Sequence, residues 1–135
     1  MTPSVPDARP PLARFALLGL AGWALATGAI RMAPLHGLRL GPLETTLAIL
    51  ACFATAAALA VLLVRNIAPS RRVPAMCAFV LPGMIGDSLT TAFCGSVFPN
   101  LPNGSGGIFG GLMLAAYAAL LAVGVARGGG RRVSA

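Results

Sequence analysis

The chain has 135 residues, of which 57% are hydrophobic and only 10% are charged. Soluble domains devote about 25% of their residues to charged side chains, so this composition excludes an ordinary soluble protein. The net charge of +7 arises from ten arginines against three acidic residues. We do not expect nucleic acid as a partner, because the arginines lie at the edges of apolar blocks, with no aromatic residues among them to stack on bases. At those positions they would meet anionic lipid headgroups of a bilayer.

The apolar residues fall into four blocks, which predicts an all-α integral membrane bundle of four transmembrane helices with up-down-up-down topology. The predicted helices span about residues 12–31, 43–65, 73–98 and 107–127, within one domain of residues 12–127. The proline-rich N-terminal tail, residues 1–11, is predicted to be disordered. A basic tail, residues 128–135, follows the last helix.

The first block, Phe15 to Ile30, also has features of a secretory signal peptide. The sequence "ALA" at residues 24–26 would place cleavage near Thr27. Gly19 and Trp23 interrupt the apolar run, however, whereas a signal peptide has a uniform apolar core. We therefore predict a first transmembrane helix, with signal-peptide cleavage as the alternative.

The second block carries small residues at every fourth position. They are Ala48, Cys52, Ala56 and Ala60. Residues with this spacing form one ridge on a helix, and a ridge of small side chains lets two membrane helices approach closely. This ridge is predicted to face another helix of the bundle.

The distribution of the arginines predicts the orientation of the chain. Eight of the ten lie in the N-terminal tail, the second turn and the C-terminal tail, which a four-helix topology puts on the same side. Since cytoplasmic loops carry the excess of positive charge, both termini are predicted to be cytoplasmic. The abundance of Ala, Gly and Arg without any lysine suggests a bacterium with a GC-rich genome, and hence a multi-pass protein of the inner membrane.

The third block contains an aspartate, Asp87, which costs about 2.5 to 3.5 kcal/mol at the centre of an inserting helix. Small and polar residues form a stripe on one side of this helix: Gly83, Asp87, Thr90, Thr91 and Cys94. Apolar residues form a ridge on the far side: Leu81, Ile85, Leu89 and Phe93. We expect the ridge to face lipid and the stripe to face the bundle. Because a proline removes one backbone donor, we also expect a kink at Pro82 and Gly83.

Depth in the membrane indicates partners for Asp87. Trp23 and Tyr117 lie near the middle of the first and fourth blocks, although Trp and Tyr normally occupy the membrane interfaces. Their N–H and O–H groups are therefore expected to donate to Asp87, with Thr90 and Thr91 completing a candidate polar site. Arg31 is the competing partner for Asp87, but the Glu44 carboxylate matches Arg31 better in depth.

Neither a metal nor a cofactor is expected. Cys52, Cys77 and Cys94 form no CxxC pair, and His36 is too isolated to complete a metal site. No nucleophile, base and orienting group share one depth, so we do not expect an enzyme.

Two functions remain open for Asp87. It could be a buried polar group that fixes helix register in a protein with a structural or interaction role. It could instead bind a proton or cation in a small transporter, since an unpartnered carboxyl in low-dielectric surroundings is neutral. A transporter of four helices would need to act as a homo-oligomer, because four helices enclose little space.

The segments "LPGMIGDSLTTAFCGSVFPNLP" and "FGGLMLAAYA" resemble a family of small uncharacterised bacterial membrane proteins, domain-of-unknown-function family 5367. The residues that carry the resemblance are Pro82, Gly83, Asp87, Phe98, Pro99, Asn100, Phe109 and Gly110. The resemblance covers the third and fourth helices, and the first half of the chain only in hydropathy. It implies a four-helix integral membrane protein and offers no established activity or site.

Overall fold

A computed structural model describes residues 12–35 and 40–129 of the chain. Residues 1–11, for which disorder was predicted, lie outside the described residues. Most of the basic tail also lies outside them. His36 and Arg39 also lie outside them.

In its described part the protein is all-helical. Its helices are α1 (Leu12–Met32), α2 (Pro42–Val64), α3 (Pro69–Ala92), α4 (Cys94–Val97) and α5 (Gly106–Gly128). Four of them, α1, α2, α3 and α5, are long and apolar enough to cross a membrane. The predicted fold class of four transmembrane helices is thereby confirmed.

The bounds of α3 differ from the predicted 73–98. The helix begins at Pro69, because the fixed φ angle of proline suits the first turn of a helix. It ends at Ala92, and Phe93 has the non-helical angles φ −109° and ψ 30°. Gly95 and Pro99 both disfavour a continuous helix here, so only the short α4 follows. Pro82 lies inside α3 without ending it, and the kink expected there stays a prediction.

The long helices pack in the spatial order α1, α3, α5, α2. Extensive contacts join α1 to α3, α3 to α5 and α5 to α2, whereas α2 and α3 meet at few residues. Arg31 at the end of α1 bonds Val97 of α4, which directly follows the end of α3, so α1 and α3 run in parallel. Arg72 at the start of α3 bonds Arg127 at the end of α5, so α3 and α5 are antiparallel. The outer helix α1 thus packs on α3 and the outer helix α2 packs on α5, and α1 and α2 do not pack extensively on each other.

The buried core lies where α2 and α3 meet α5. It consists of Ala56, Ala60, Val64, Met76, Val80, Ala119 and Leu120. The small-residue ridge of α2 faces this core, as predicted, and the Cys52 thiol donates to the Leu112 carbonyl of α5 at 3.4 Å. Small side chains allow this approach where lipid provides no hydrophobic drive for association.

The first helix approaches α3 most closely at Gly19. A Cβ atom at this position would lie only 1.8 Å from the carbonyl oxygen of Phe79. A side chain of any size would therefore push the two backbones apart. Gly19 fixes the contact of α1 with α3, and so the height of the rest of α1 along α3.

The apolar ridge of α3 points away from the bundle. Leu81, Ile85, Leu89 and Phe93 are between 55% and 65% exposed. Large apolar side chains this exposed are suited to lipid. The prediction that this ridge faces lipid agrees with its exposure.

The connection after α4 closes one end of the bundle. Phe98 is fully buried and its ring lies 5.0 Å from that of Phe109 between centroids. The Asn100 amide donates to the carbonyls of Ile30 and Ala33, at 2.6 and 2.9 Å. Ile30 belongs to the last turn of α1 and Ala33 follows its end, where the regular helical donors are missing and only the backbone N–H groups of Ala33 and Leu35 remain as partners. The connection therefore caps α1 and attaches it to α4 and α5.

Candidate intramembrane polar site

Asp87 is the centre of a hydrogen-bond network that joins three helices. Its side chain is only 6% exposed. The indole N–H of Trp23 in α1 donates to Oδ1 at 2.9 Å, and the hydroxyl of Tyr117 in α5 donates to Oδ2. Thr90, one turn further along α3, places its hydroxyl 3.3 Å from Oδ1. The prediction that Trp23 and Tyr117 are satisfied by Asp87 is confirmed.

Two glycines of α3 provide the space for these donors. A Cβ atom at Gly86 would lie 2.3 Å from the Trp23 ring, and one at Gly83 would lie 2.7 Å from the Tyr117 hydroxyl oxygen. Gly83 was predicted as part of a kink and of the small polar stripe that faces the bundle, whereas Gly86 was not predicted to contribute. Gly83 lies four residues before Asp87 and so shares its face of the helix, which was the available signal. Gly86, directly before Asp87 in the chain, carries no such signal.

Neutral donors occupy most of the acceptor positions of the carboxylate. An ionised carboxylate offers about four lone-pair positions. Among the described residues, three side chains donate to Asp87, and all three are neutral: Trp23, Thr90 and Tyr117. Hydrogen bonds to a charged acceptor are stronger than those between neutral groups. The network thus solvates the carboxylate without supplying a positive charge.

Arg31 does not belong to this site. Its guanidinium donates to the Val97 carbonyl at 2.7 Å, rather than to the carboxylate of Asp87 or Glu44. Along α1 it lies eight residues beyond Trp23, which corresponds to about 12 Å of rise. The guanidinium therefore reaches the nearby backbone at the end of α4 more easily than the middle of the bundle. The expected pairing of Arg31 with Asp87 or Glu44 was wrong.

Thr91 lies beside the network rather than in it. It is half-buried and contacts Gly110 of α5, where a Cβ would lie 3.4 Å from its methyl group. Of the sequence-predicted site residues, the structure thus brings together Trp23, Thr90 and Tyr117 around Asp87. It does not bring Thr91 or Arg31 into hydrogen-bonding contact with the carboxylate.

Asp87 and Tyr117 line two cavities. The outer cavity, of about 240 Å³, lies between α3 and α5, and its wall includes Met84, Ser88, Thr91 and Leu114. The inner cavity, of about 190 Å³, is lined by all four long helices, and its wall includes Gly22, Trp23, Leu59, Phe79 and Phe109. The carboxylate therefore borders both cavities.

No group of three or more His, Cys, Asp or Glu side chains suited to a metal ion occurs within residues 12–35 and 40–129. The three cysteines are free thiols, each half-buried. Among the described residues, Asp87 is therefore the strongest candidate for a functional group, because it is a buried carboxylate at the middle of a membrane bundle.

Comparison with known proteins gives one match. The model of a family of unknown function, DUF5367, matches residues 42–129, which contain α2 to α5. The match extends beyond the two helices that carry the resemblance in the sequence, while α1 and its Trp23 lie outside it. No curated protein and no solved structure matches the chain.

Proposed function

The chain belongs to the family of unknown function DUF5367, and from this premise we propose that it is a non-enzymatic membrane protein organised by the Asp87 network. The observation that carries the proposal is the hydrogen bonding of Asp87 to α1 and α5 at once. In a bilayer, where apolar contacts between helices have no hydrophobic drive, such bonds help to select one packing arrangement. The role is to hold α1 at a fixed height and rotation, presenting a defined surface to partners.

An Asp87→Asn variant tests this role. The amide has nearly the shape of the carboxylate, but its NH₂ group cannot accept a hydrogen bond from Trp23 or Tyr117. We expect faster amide hydrogen exchange throughout residues 12–32 in the purified protein in micelles, with α2 and α5 remaining protected. Ser88→Ala is the matched control, because the Ser88 hydroxyl bonds only the Met84 carbonyl of its own helix. Unchanged exchange in α1 of the Asn variant would contradict the role.

We also propose a bacterial inner-membrane location with both termini in the cytoplasm and anionic headgroups around the basic end. This is supported by the placement of Arg14, Arg65, Arg72 and Arg127 at the helix ends that lie on one side. C-terminal fusions to alkaline phosphatase, active only outside the cytoplasm, and to a fluorescent protein, active inside, test the orientation. Fluorescence without phosphatase activity is expected.

A second candidate function is favoured by the position of Asp87 on both cavities. A carboxyl that borders two spaces can exchange a proton or cation with either. A carrier further needs these spaces to open to opposite sides of the membrane, and a carrier of this size would act as a homo-oligomer. Proteoliposomes containing a pH-sensitive dye, with valinomycin and potassium to balance charge, test for proton flux. A carrier loses flux in Asp87→Asn and keeps it in Thr55→Ala, since the Thr55 hydroxyl bonds the Ala51 carbonyl of its own helix and lines neither cavity. If the native protein gives no more proton flux than empty liposomes do, this candidate is excluded.

A further inference from the structure

The inner cavity has an aromatic lining that the hydrogen-bond network does not explain. Trp23, Phe79, Phe109 and Tyr117 all contribute to its wall. Only two of them bond Asp87, and Phe79 and Phe109 offer nothing but ring surface. Aromatic rings attract cations through their quadrupoles, and cages of such rings recognise quaternary ammonium groups.

The carboxylate in the cavity wall also favours a quaternary ammonium ligand. Asp87 borders the cavity, and its three neutral donors leave its charge uncompensated. Those donors also occupy most of the lone-pair positions of the carboxylate, so little capacity remains for a ligand with several N–H groups. A quaternary ammonium ion needs no acceptor, since it is held by charge and ring contact alone.

The size of the cavity limits the ligand. At about 190 Å³ it exceeds the roughly 150 Å³ of an engineered apolar cavity that binds benzene. It therefore has room for a small tetraalkylammonium ion.

The cavity is accessible from the side. Its wall includes Leu59 of α2 and Gly22 of α1, and these two helices are not packed extensively on each other. A ligand can approach between them from the acyl chains, which favours a lipophilic cation.

We propose that the inner cavity binds a small lipophilic quaternary ammonium ion, with Asp87 as its counter-ion and the four aromatic side chains as its wall. The proposal names the class of ligand that the candidate carrier would transport, and its physiological role rests on that candidate function. Binding is measured without transport, so a failed flux assay and a failed binding assay are separate results.

The chain's only tryptophan lies at the site and serves as the reporter. Purified protein in micelles is titrated with tetraethylammonium while the fluorescence of Trp23 is recorded, and calorimetry provides an independent Kd. Tetraethylmethane, the neutral carbon analogue of the same shape, is the matched ligand. We expect the cation to bind about tenfold or more tightly than the neutral analogue.

Two pairs of variants locate the binding. Gly22 and Gly28 both lie on α1 with open space where a Cβ would be added, but only Gly22 lines the inner cavity. Gly22→Leu should therefore weaken tetraethylammonium binding about tenfold or more, and Gly28→Leu should leave it unchanged. Asp87→Asn should weaken binding of the cation but not of tetraethylmethane, and Ser88→Ala, in the outer cavity, should change neither.

The proposal is overturned if Gly22→Leu binds the cation as well as Gly28→Leu does, or if the neutral analogue binds as tightly as the cation. The Gly22 pair keeps the test decisive even if Asp87→Asn does not fold, because it leaves the carboxylate in place. If native protein binds the cation and shows no flux, the site stands and the carrier candidate fails.

Discussion

Trp23 donates its indole N–H to Asp87 Oδ1 over 2.9 Å, joining α1 to α3 at the middle of the bundle. The contact is possible because Gly86 leaves no side chain where the indole ring lies. Since α1 packs mainly on α3, this bond and the close approach at Gly19 together determine the position of the first helix.

Replacing Trp23 by phenylalanine should destabilise the protein by about 0.5 to 2 kcal/mol, the range of interhelical hydrogen bonds in membranes. An aromatic ring remains, but a buried charged acceptor loses one hydrogen bond. Thermal unfolding in micelles, followed by far-UV circular dichroism, measures the change. An equal melting temperature for Trp23→Phe and the native protein would show that the bond contributes nothing.

Gly83→Ala should destabilise the protein through Tyr117, whose hydroxyl oxygen lies 2.7 Å from the added Cβ. Overpacking of this kind costs about 1 to 3 kcal/mol. Removing that oxygen relieves the clash, so the double variant with Tyr117→Phe should lose less stability than the sum of the two single variants. A coupling energy of about 0.5 kcal/mol or more in this double-mutant cycle is the expected result. Gly111→Ala, where the Cβ meets no atom within 4 Å, should be uncoupled from Tyr117→Phe.

Alanine at two glycines of α1 should change stability in opposite directions. At Gly19 the Cβ would lie 1.8 Å from the Phe79 carbonyl oxygen, whereas at Gly28 it meets open space. Alanine is favoured over glycine in a helix by up to about 1 kcal/mol. Gly28→Ala should therefore raise the melting temperature slightly and Gly19→Ala should lower it. The same sign for both variants would contradict the close approach of the two backbones.

Asn100→Ala should destabilise the end of α1 by about 1 kcal/mol, because the carbonyls of Ile30 and Ala33 lose the amide donor and keep only their backbone partners. Asn100→Asp should be at least as harmful, since a carboxylate cannot donate to a carbonyl and meets two oxygen atoms instead. Hydrogen exchange in the last turn of α1 and thermal unfolding detect the loss. Asn103→Ala, at an exposed position in the same connection, is the control and should have no effect.

The sequence alone predicted four membrane-crossing helices, the lipid-facing ridge of α3 and the inward position of Asp87 with Trp23 and Tyr117 as donors. These features follow from hydropathy, the 3.6-residue period and the depth of each residue in its own block. The spans and the lipid-facing ridge are properties of one helix in a bilayer, and the donors of Asp87 needed only a comparison of depth between blocks.

The tertiary structure decided which helices pack together and therefore what each side chain contacts. The order α1, α3, α5, α2, the break at Phe93, the bond from Arg31 to Val97 and the aromatic wall of the inner cavity could not be predicted. Gly86 illustrates the reason. Its role depends on the rotation of α1 about its own axis, which sets where the Trp23 ring lies, and the period of one helix leaves the rotation of its neighbour undetermined.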